Sequence, residues 1–556
     1  MTNLKRSLQF SSILLIFIAI AVLLRVINLG SREFWYDEVL SLLLCTGQKM
    51  AYETPKDTPV TLANYTPLLS LPIENGISDI LVTLKNFFRG LASEPHPPLF
   101  FLGQHVWLRL FGNTEVAMRS LGALLSIGAI ASAYGLGRRL LGHRGGLLLA
   151  ALLGTNNYYL FHSLNVRMYG PLVLWIILSA WALLELIEDK ILERKDPNIS
   201  SQKNKIIWNF VLIGSVAAGF LTFYYFVYFL LALAVLVLWL DRQRWWHYAL
   251  PMGAGVLLTS PWVLWGTTQQ LRNADFERFG KSQSLIETVV KHLEGAIQPF
   301  GIHLVLGDWV SILPPAIATV AGVGAIALLV FCSISLWREN QRRVLGVALI
   351  LGILPLLIAV AVDILKGQFT TGFGFGRSTI YILPGCLLLL AVWIERATGQ
   401  WRQTVATVLL LLYLSVSIAD FSTRHRWMFH QIADIIKQEP TTPTLIAMNS
   451  NAWGHVLRLA YYIPPKLPVE LLAQPSTKLA PMLEKTLTSE PSNYQRLLWL
   501  DSARPVWGSR TTEAQKKQIQ QILNDQFQLT KTQQLFGTWE LDQFTAYLYQ
   551  RSASNP

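Results

Sequence analysis

Residues 99–111 read LFFLGQHVWLRLF, and whether this apolar run crosses a bilayer decides the side on which every later loop falls. Its 13 residues would rise only about 20 Å as an α-helix, short of the roughly 30 Å of hydrocarbon in a membrane. A crossing here would also turn the basic segments after residue 137 outward, against the preference of Lys and Arg for cytoplasmic loops. The run is therefore expected to form a juxtamembrane helix that lies on, or dips into, the outer face.

On both sides of it the chain is made of longer apolar runs. Spans are expected at about 10–28, 118–137, 145–163, 168–187, 207–222, 226–240, 247–266, 312–336, 344–362, 378–395 and 402–419, about eleven in all. The segments assigned to the inner side are Arg138, Arg139 and Arg144; Lys190 to Lys205; Arg242 and Arg244; Arg338, Arg342 and Arg343; and Arg396 to Arg402. All are basic, so the net charge of +12 follows from membrane topology and calls for no nucleic-acid partner. With 52% hydrophobic and 14% charged residues in 556, the chain reads as an α-helical polytopic membrane protein. The first run follows Lys5 and Arg6 without a small-residue cleavage site, which predicts a retained anchor with a cytoplasmic N-terminus. Cys332 and Cys386 fall in spans and Cys45 alone in a loop, so no disulfide framework is indicated.

After Ala419 the composition turns polar. TLIAMNS (444–450) and RLLWLDSAR (496–504) read as strands, Glu513 to Gln526 as a helix, and 535–550 as further strand. This divides the chain into a membrane domain, 1–419, with a long first outer loop at 29–117, and a small soluble extracytoplasmic α/β domain, 420–556. No phosphate loop or dinucleotide glycine fingerprint occurs in either part.

An acidic pair just past the first span, Asp37 and Glu38 in FWYDEVLSL, is where a membrane enzyme would keep a base for a lipid-borne substrate. The same pair also suits the first turn of a helix, at the positive end of its dipole. FWYDEVLS (34–41), EPHPPLFFLGQHVWLRLFG (94–112), AMRSLGALLSIGAIASAYGLGRRLLG (117–142) and NNYYLFHSLNVRMYGPLVLW (156–175) follow one another in an order that carries more than any one of them. That order resembles membrane glycosyltransferases of the GT-C fold, in the branch of protein O-mannosyltransferases and aminoarabinose-transferase-like enzymes. The resemblance covers residues 10–240 and, more loosely, GRSTIYILPG at 376–385.

The resemblance implies an inner- or plasma-membrane enzyme of the cell envelope, with its active site on the periplasmic side. It would take a monosaccharide, a hexose or pentose, from a polyprenyl-phosphate donor and pass it with inversion to a lipid, glycan or protein acceptor. By match, Asp37 is the catalytic base. Such a transfer needs a base for the acceptor proton and cations to hold the departing phosphate. Glu38 either orients the acceptor, binds a metal or sits in the first helical turn. His96 of HPPL, at the opening of the juxtamembrane helix, either touches the donor phosphate or a metal, with Glu94 joining it, or the two form a plain loop pair.

Arg167, at an outer corner, and Arg377, after the glycine-rich TTGFGFG (370–376), are the phosphate candidates, because a guanidinium binds phosphate through two parallel hydrogen bonds. Their alternative is snorkelling toward lipid headgroups. Tyr224 and Tyr225 would line a donor groove or belong to an interfacial aromatic belt. Asn165 stands where many relatives carry an acid, and Phe223 where many carry histidine, which counts against dependence on a divalent metal. Lys291, His292 and Glu294 are accessible polar residues of an outer loop with no motif behind them. A non-catalytic lipid or sugar transporter, or a membrane binding protein, is the alternative class; transporters usually place ionisable residues in mid-span and show repeated halves, and neither is seen here.

Overall fold

The computed structural model describes residues 2–195, 202–273, 285–372, 374–424, 426–489, 493–506, 508–539 and 541–552. The chain divides into two compact units, one of residues 1–29, 91–103 and 119–422, the other of 30–90, 104–118 and 423–556.

In the first unit, nine helical segments among the described residues are long and apolar enough to cross a membrane. Two of them are folded on themselves. Within Glu115–Thr155, Gly142 takes φ +83°, ψ −178°, a conformation that ends a helix. The two legs then pack so closely that a Cβ on Gly137 would lie 2.9 Å from the Gly146 Cα. In Phe226–Leu257 the break is Asp241, at φ −148° and ψ 61°, whose carboxylate accepts a hydrogen bond from Tyr248 at 2.9 Å. The second leg of the first segment, residues 143–155, is shorter than a bilayer requires, so the described residues give nine candidate spans where about eleven were expected.

The expected span 145–163 needs correction. Its membrane helix ends at Thr155, and Asn157–Ser163 is a separate short helix capped by the Asn156 side chain, which accepts from the Tyr159 amide at 2.9 Å. Pro98–Phe111 forms a helix of 14 residues, below crossing length, as its sequence indicates.

Ion pairs gather the basic segments at one end of the bundle. Arg139 reaches Glu188 at 2.6 Å, Arg343 reaches the same Glu188 at 3.6 Å, and Arg144 and Arg402 both engage Glu395, at 3.0 and 3.5 Å. The expected basic loop 190–205 lies partly outside the described residues. The turns that carry the candidate site therefore lie at the opposite end, one helix length away.

The second unit is built on a six-stranded sheet of order β1-β3-β2-β4-β6-β5, with β1 Val60–Thr61, β2 Thr444–Met448, β3 Val469–Ala473, β4 Arg496–Ser502, β5 Phe527–Phe536 and β6 Gln543–Arg551. β2 lies parallel to β3 and β4, and the other pairings are antiparallel. Every residue of β2 and β4 is buried, as expected for central parallel strands covered on both faces. The crossover through helix 453–462 runs from β2 to β3. The return through helix 476–489 passes back over β2 to β4, and a common right hand puts the two helices on opposite faces. Leu479, Leu483, Ile519 and Leu523 close one face over Ala447, Leu472 and Trp499.

The expected tail strand at 535–550 proves to be a hairpin, with a turn between Phe536 and Gln543. β5 was not legible because its middle, residues 530–534, is wholly polar and mostly exposed, so no apolar alternation marks it as a half-buried strand. Cys45 is likewise corrected: it ends the helix Tyr36–Cys45 and is buried.

Near the end of helix 98–111, Arg109 forks onto Glu74 at 2.5 and 2.8 Å. Its Nε donates to His105 Nε2 at 3.1 Å, so the His105 proton sits on Nδ1 and is donated to the Cys45 carbonyl at 2.6 Å. The Arg109 hydrogen bonds pull the Glu74 carboxyl down to about 2, and burial lowers His105.

Candidate functional site

In the first unit, two arginines far apart in sequence share one tyrosine ring. Arg167 stands in the corner between Asn157–Ser163 and Tyr169–Lys195 with its Cζ 5.9 Å from the centre of the Tyr169 ring. Arg377 has its Cζ 5.7 Å from the same centre. Arg167 is buried, is 5.9 Å from the Phe101 ring, and donates from Nη2 to His96 Nε2 at 2.9 Å. A guanidinium only donates, so His96 accepts at Nε2. Two cations that lie 5.9 and 5.7 Å from one ring centre repel by more than about 1 kcal/mol at an effective dielectric near 20, and an anion held between them reverses the sign.

Arg377 is set by the glycine-rich loop. Gly374, Phe375 and Gly376 take successive positive φ values of +70°, +54° and +77°. For Phe375 that backbone costs about 1–2 kcal/mol, and it persists only where the surroundings hold it. Each carbonyl of the turn is captured by a side chain. Arg377 Nε donates to Gly374 O at 2.9 Å, the Tyr158 hydroxyl to Phe375 O at 3.1 Å, and His303 Nε2 to Gly376 O at 2.9 Å. Burial lowers His303 to about 4, so the ring is neutral, with its proton on the donating nitrogen. At the start of the loop, Asp363 accepts from the Thr370 hydroxyl at 2.7 Å and the Thr371 amide at 2.9 Å. Phe373 lies outside the described residues.

His96 is held from behind. Tyr224 accepts from Trp262 Nε1 at 2.9 Å and bonds Gln270 Oε1 at 2.5 Å, while Gln270 Nε2 donates to the Leu91 and His96 carbonyls at 3.0 and 2.8 Å. Tyr224 thus belongs to the support of the HPPL turn. Tyr225 packs on Phe223 at 5.1 Å and Tyr228 at 5.7 Å, and Phe223 meets the Tyr169 ring at 5.7 Å. Glu94 is half-buried two residues before His96. His292, expected to be accessible, is buried with its ring 4.6 Å from Phe369. Lys291 lies 5.2 Å from the same ring and pairs with Glu287 at 2.6 Å.

Asp37 and Glu38 belong to the second unit, in the first turn of helix 36–45. Glu38 is fully buried and its Oε2 accepts from the Trp35 amide at 3.2 Å, so its carboxylate closes the helix start. Asp37 is half-buried, and its carbonyl accepts from Ser41. Among the described residues, no group of three or more His, Cys, Asp or Glu side chains is placed to hold a metal ion.

Tyr158, His303 and Gln270 escaped sequence reasoning. Tyr158 sits inside a quoted motif, but aromatic residues in apolar runs read as core, and His303 and Gln270 lie in segments with no pattern of their own.

Residues 95–265 match the family model described as dolichyl-phosphate-mannose-protein mannosyltransferase. That stretch carries His96, Arg167, Tyr169 and Tyr224 and agrees with the glycosyltransferase resemblance of the sequence motifs. No curated protein sequence matches the chain. Among solved structures, the chain is similar to ArnT from Cupriavidus metallidurans bound to undecaprenyl phosphate, at 13% identity over 98% of this chain and 99% of that one, with a TM-score of 0.42. It is also similar to the Archaeoglobus fulgidus oligosaccharyltransferase in complex with Zn and sulfate, at 12% identity over 87% and 67%, TM-score 0.46. A third is the mycobacterial arabinofuranosyltransferase AftD, at 12% identity over 97% and 40%, TM-score 0.34.

Proposed function

We propose that this membrane glycosyltransferase takes one sugar from a polyprenyl-phosphate carrier and transfers it, with inversion, to a hydroxyl or amine of an acceptor at the outer face. The observation that carries the reading is the pair of guanidiniums on Tyr169, with His96 bonded to one of them. Arg167 and Arg377 hold the donor phosphate and stabilise the charge that builds on its oxygen as the bond to the anomeric carbon breaks. Asp37 takes the acceptor proton while the acceptor oxygen or nitrogen attacks that carbon from the opposite face. The phosphate leaves as the free carrier without needing a proton. The C-terminal lobe lies in the extracytoplasmic space, and the donor enters sideways from the bilayer, since charged groups exposed to hydrocarbon are costly.

The test is transfer from radiolabelled polyprenyl-phosphate monosaccharides by purified protein, scoring both carrier release and labelled product. Wild type should turn over, Asp37→Asn should not, and Arg377→Ala should lose donor affinity and rate together. Full activity in Asp37→Asn would remove Asp37 as the base. Lipid binding without turnover of any donor would remove the enzyme reading.

A further inference from the structure

Sugar transfer leaves unexplained the three aromatic residues that precede Asp37. Within the second unit each packs on a different residue of the C-terminal segment. Phe34 meets Tyr461 edge-on with ring centres 5.1 Å apart, Trp35 lies flat on Trp539 at 4.8 Å and 8°, and Tyr36 meets His455 edge-on at 5.5 Å. The backbone is held as well. The Phe34 amide donates to the Tyr462 hydroxyl at 2.6 Å, and the buried Glu33 carboxylate accepts from the Phe429 amide at 2.8 Å, at the start of helix 428–437. A Cβ on Gly454 would lie 2.6 Å from the Tyr36 ring, so the lobe helix 453–462 comes as near as a glycine allows.

We infer that the C-terminal lobe positions Asp37: Trp539, His455 and Tyr461 clamp residues 34–36 and thereby fix the first turn of helix 36–45. The catalytic meaning of the clamp rests on the proposed role of Asp37 as base. A base acts only within hydrogen-bond reach of its proton, and a turn of this length has no regular structure to hold it before the helix begins. Three rings, each with its own partner, supply that order. Trp539, His455 and Tyr461 are positioning residues that act through the turn, and none need touch the sugar.

The test combines mobility with kinetics on the full-length protein. The native cysteines are buried, so a nitroxide label on Asp37→Cys reports on this turn. It should be immobile with Trp539 in place and mobile in Trp539→Ala, with Trp539→Phe restoring the immobile signal. Without the label, Trp539→Ala should lower kcat by about tenfold to a hundredfold, as misplacement of a reacting group does, with donor KM nearly unchanged. Trp539→Phe should recover most of that rate. Should Trp539→Ala fail to fold, Phe34→Leu, which removes the ring facing Tyr461 and keeps an apolar side chain, should show the same mobility change. An immobile label in a folded Trp539→Ala or Phe34→Leu protein overturns the clamp. If the wild type transfers no sugar, the proposed function falls, while the label still decides the clamp.

Discussion

Arginine and lysine carry the same charge, but only arginine presents two parallel donors to a phosphate. If Arg167 and Arg377 hold the donor through that fork, Arg377→Lys should keep the charge near Tyr169 and still reduce kcat/KM by about tenfold or more, while Arg377→Ala loses roughly a hundredfold. Steady-state kinetics with the donor varied checks both, and a lysine variant as active as wild type would mean that charge alone suffices. These arginines could be singled out from sequence because each is a cation at the end of an apolar run. Their meeting on one ring could not, since nothing local links residue 167 to residue 377. At the same scale, Glu74 makes the second unit sensitive to acid. Its carboxyl lies near 2 in the folded chain, below the ordinary value of about 4.3. The unfolded chain therefore binds the proton first, so the contribution of Glu74 is complete above pH ~4.5 and is lost as pH falls toward 2. Melting temperatures measured across that window should fall for the wild type and fall less for Glu74→Gln, which starts lower at neutral pH.

The glycine-rich loop is an element that the sequence marks but does not explain. Its glycines signal unusual backbone, yet the residues that hold it, Tyr158 and His303, come from other segments and have no spacing rule. Removing the His303 donor leaves Gly376 O with only its bonds from the Thr379 amide and hydroxyl, at 3.2 and 3.1 Å, and the lost hydrogen bond costs about 0.5–1.5 kcal/mol. His303→Leu should therefore raise the donor KM through a displaced Arg377, and His303→Gln, which keeps an N–H donor, should recover part of it. Gly376→Ala attacks the same turn through the backbone. A methyl group there meets a left-handed φ and lies 3.1 Å from His303 Nε2, so a comparable loss of donor affinity is expected. A donor KM unchanged from wild type in all three variants would show that the loop does not set Arg377. Helices were the most legible elements, because length and apolarity define them. The breaks at Gly142 and Asp241 were also readable, since each falls beside arginines that a bilayer would not accept in mid-span.

For the whole molecule, the reading of residues 98–111 sets the sign of every later loop, and the ion pairs constrain it without deciding it. Glu188 and Glu395 draw Arg139, Arg144, Arg343 and Arg402 to one end, so these loops share a side of the membrane whichever side that is. The proposed orientation, which follows the positive-inside preference, puts them on the cytoplasmic side. Single cysteines at three exposed positions turn this into a measurement: Gly76→Cys in the first loop, His143→Cys at the basic end, and Gly372→Cys in the loop before Arg377. If helix 98–111 stays at the surface, a membrane-impermeant maleimide applied to sealed right-side-out vesicles should label positions 76 and 372 and spare 143. If the helix crosses, everything after it inverts, so that 76 and 143 are labelled together and 372 is protected. The second pattern would place Arg377, the donor site and the C-terminal segment on the cytoplasmic side, across the membrane from the first loop, and would overturn both transfer at the outer face and the pairing of β1 with β3.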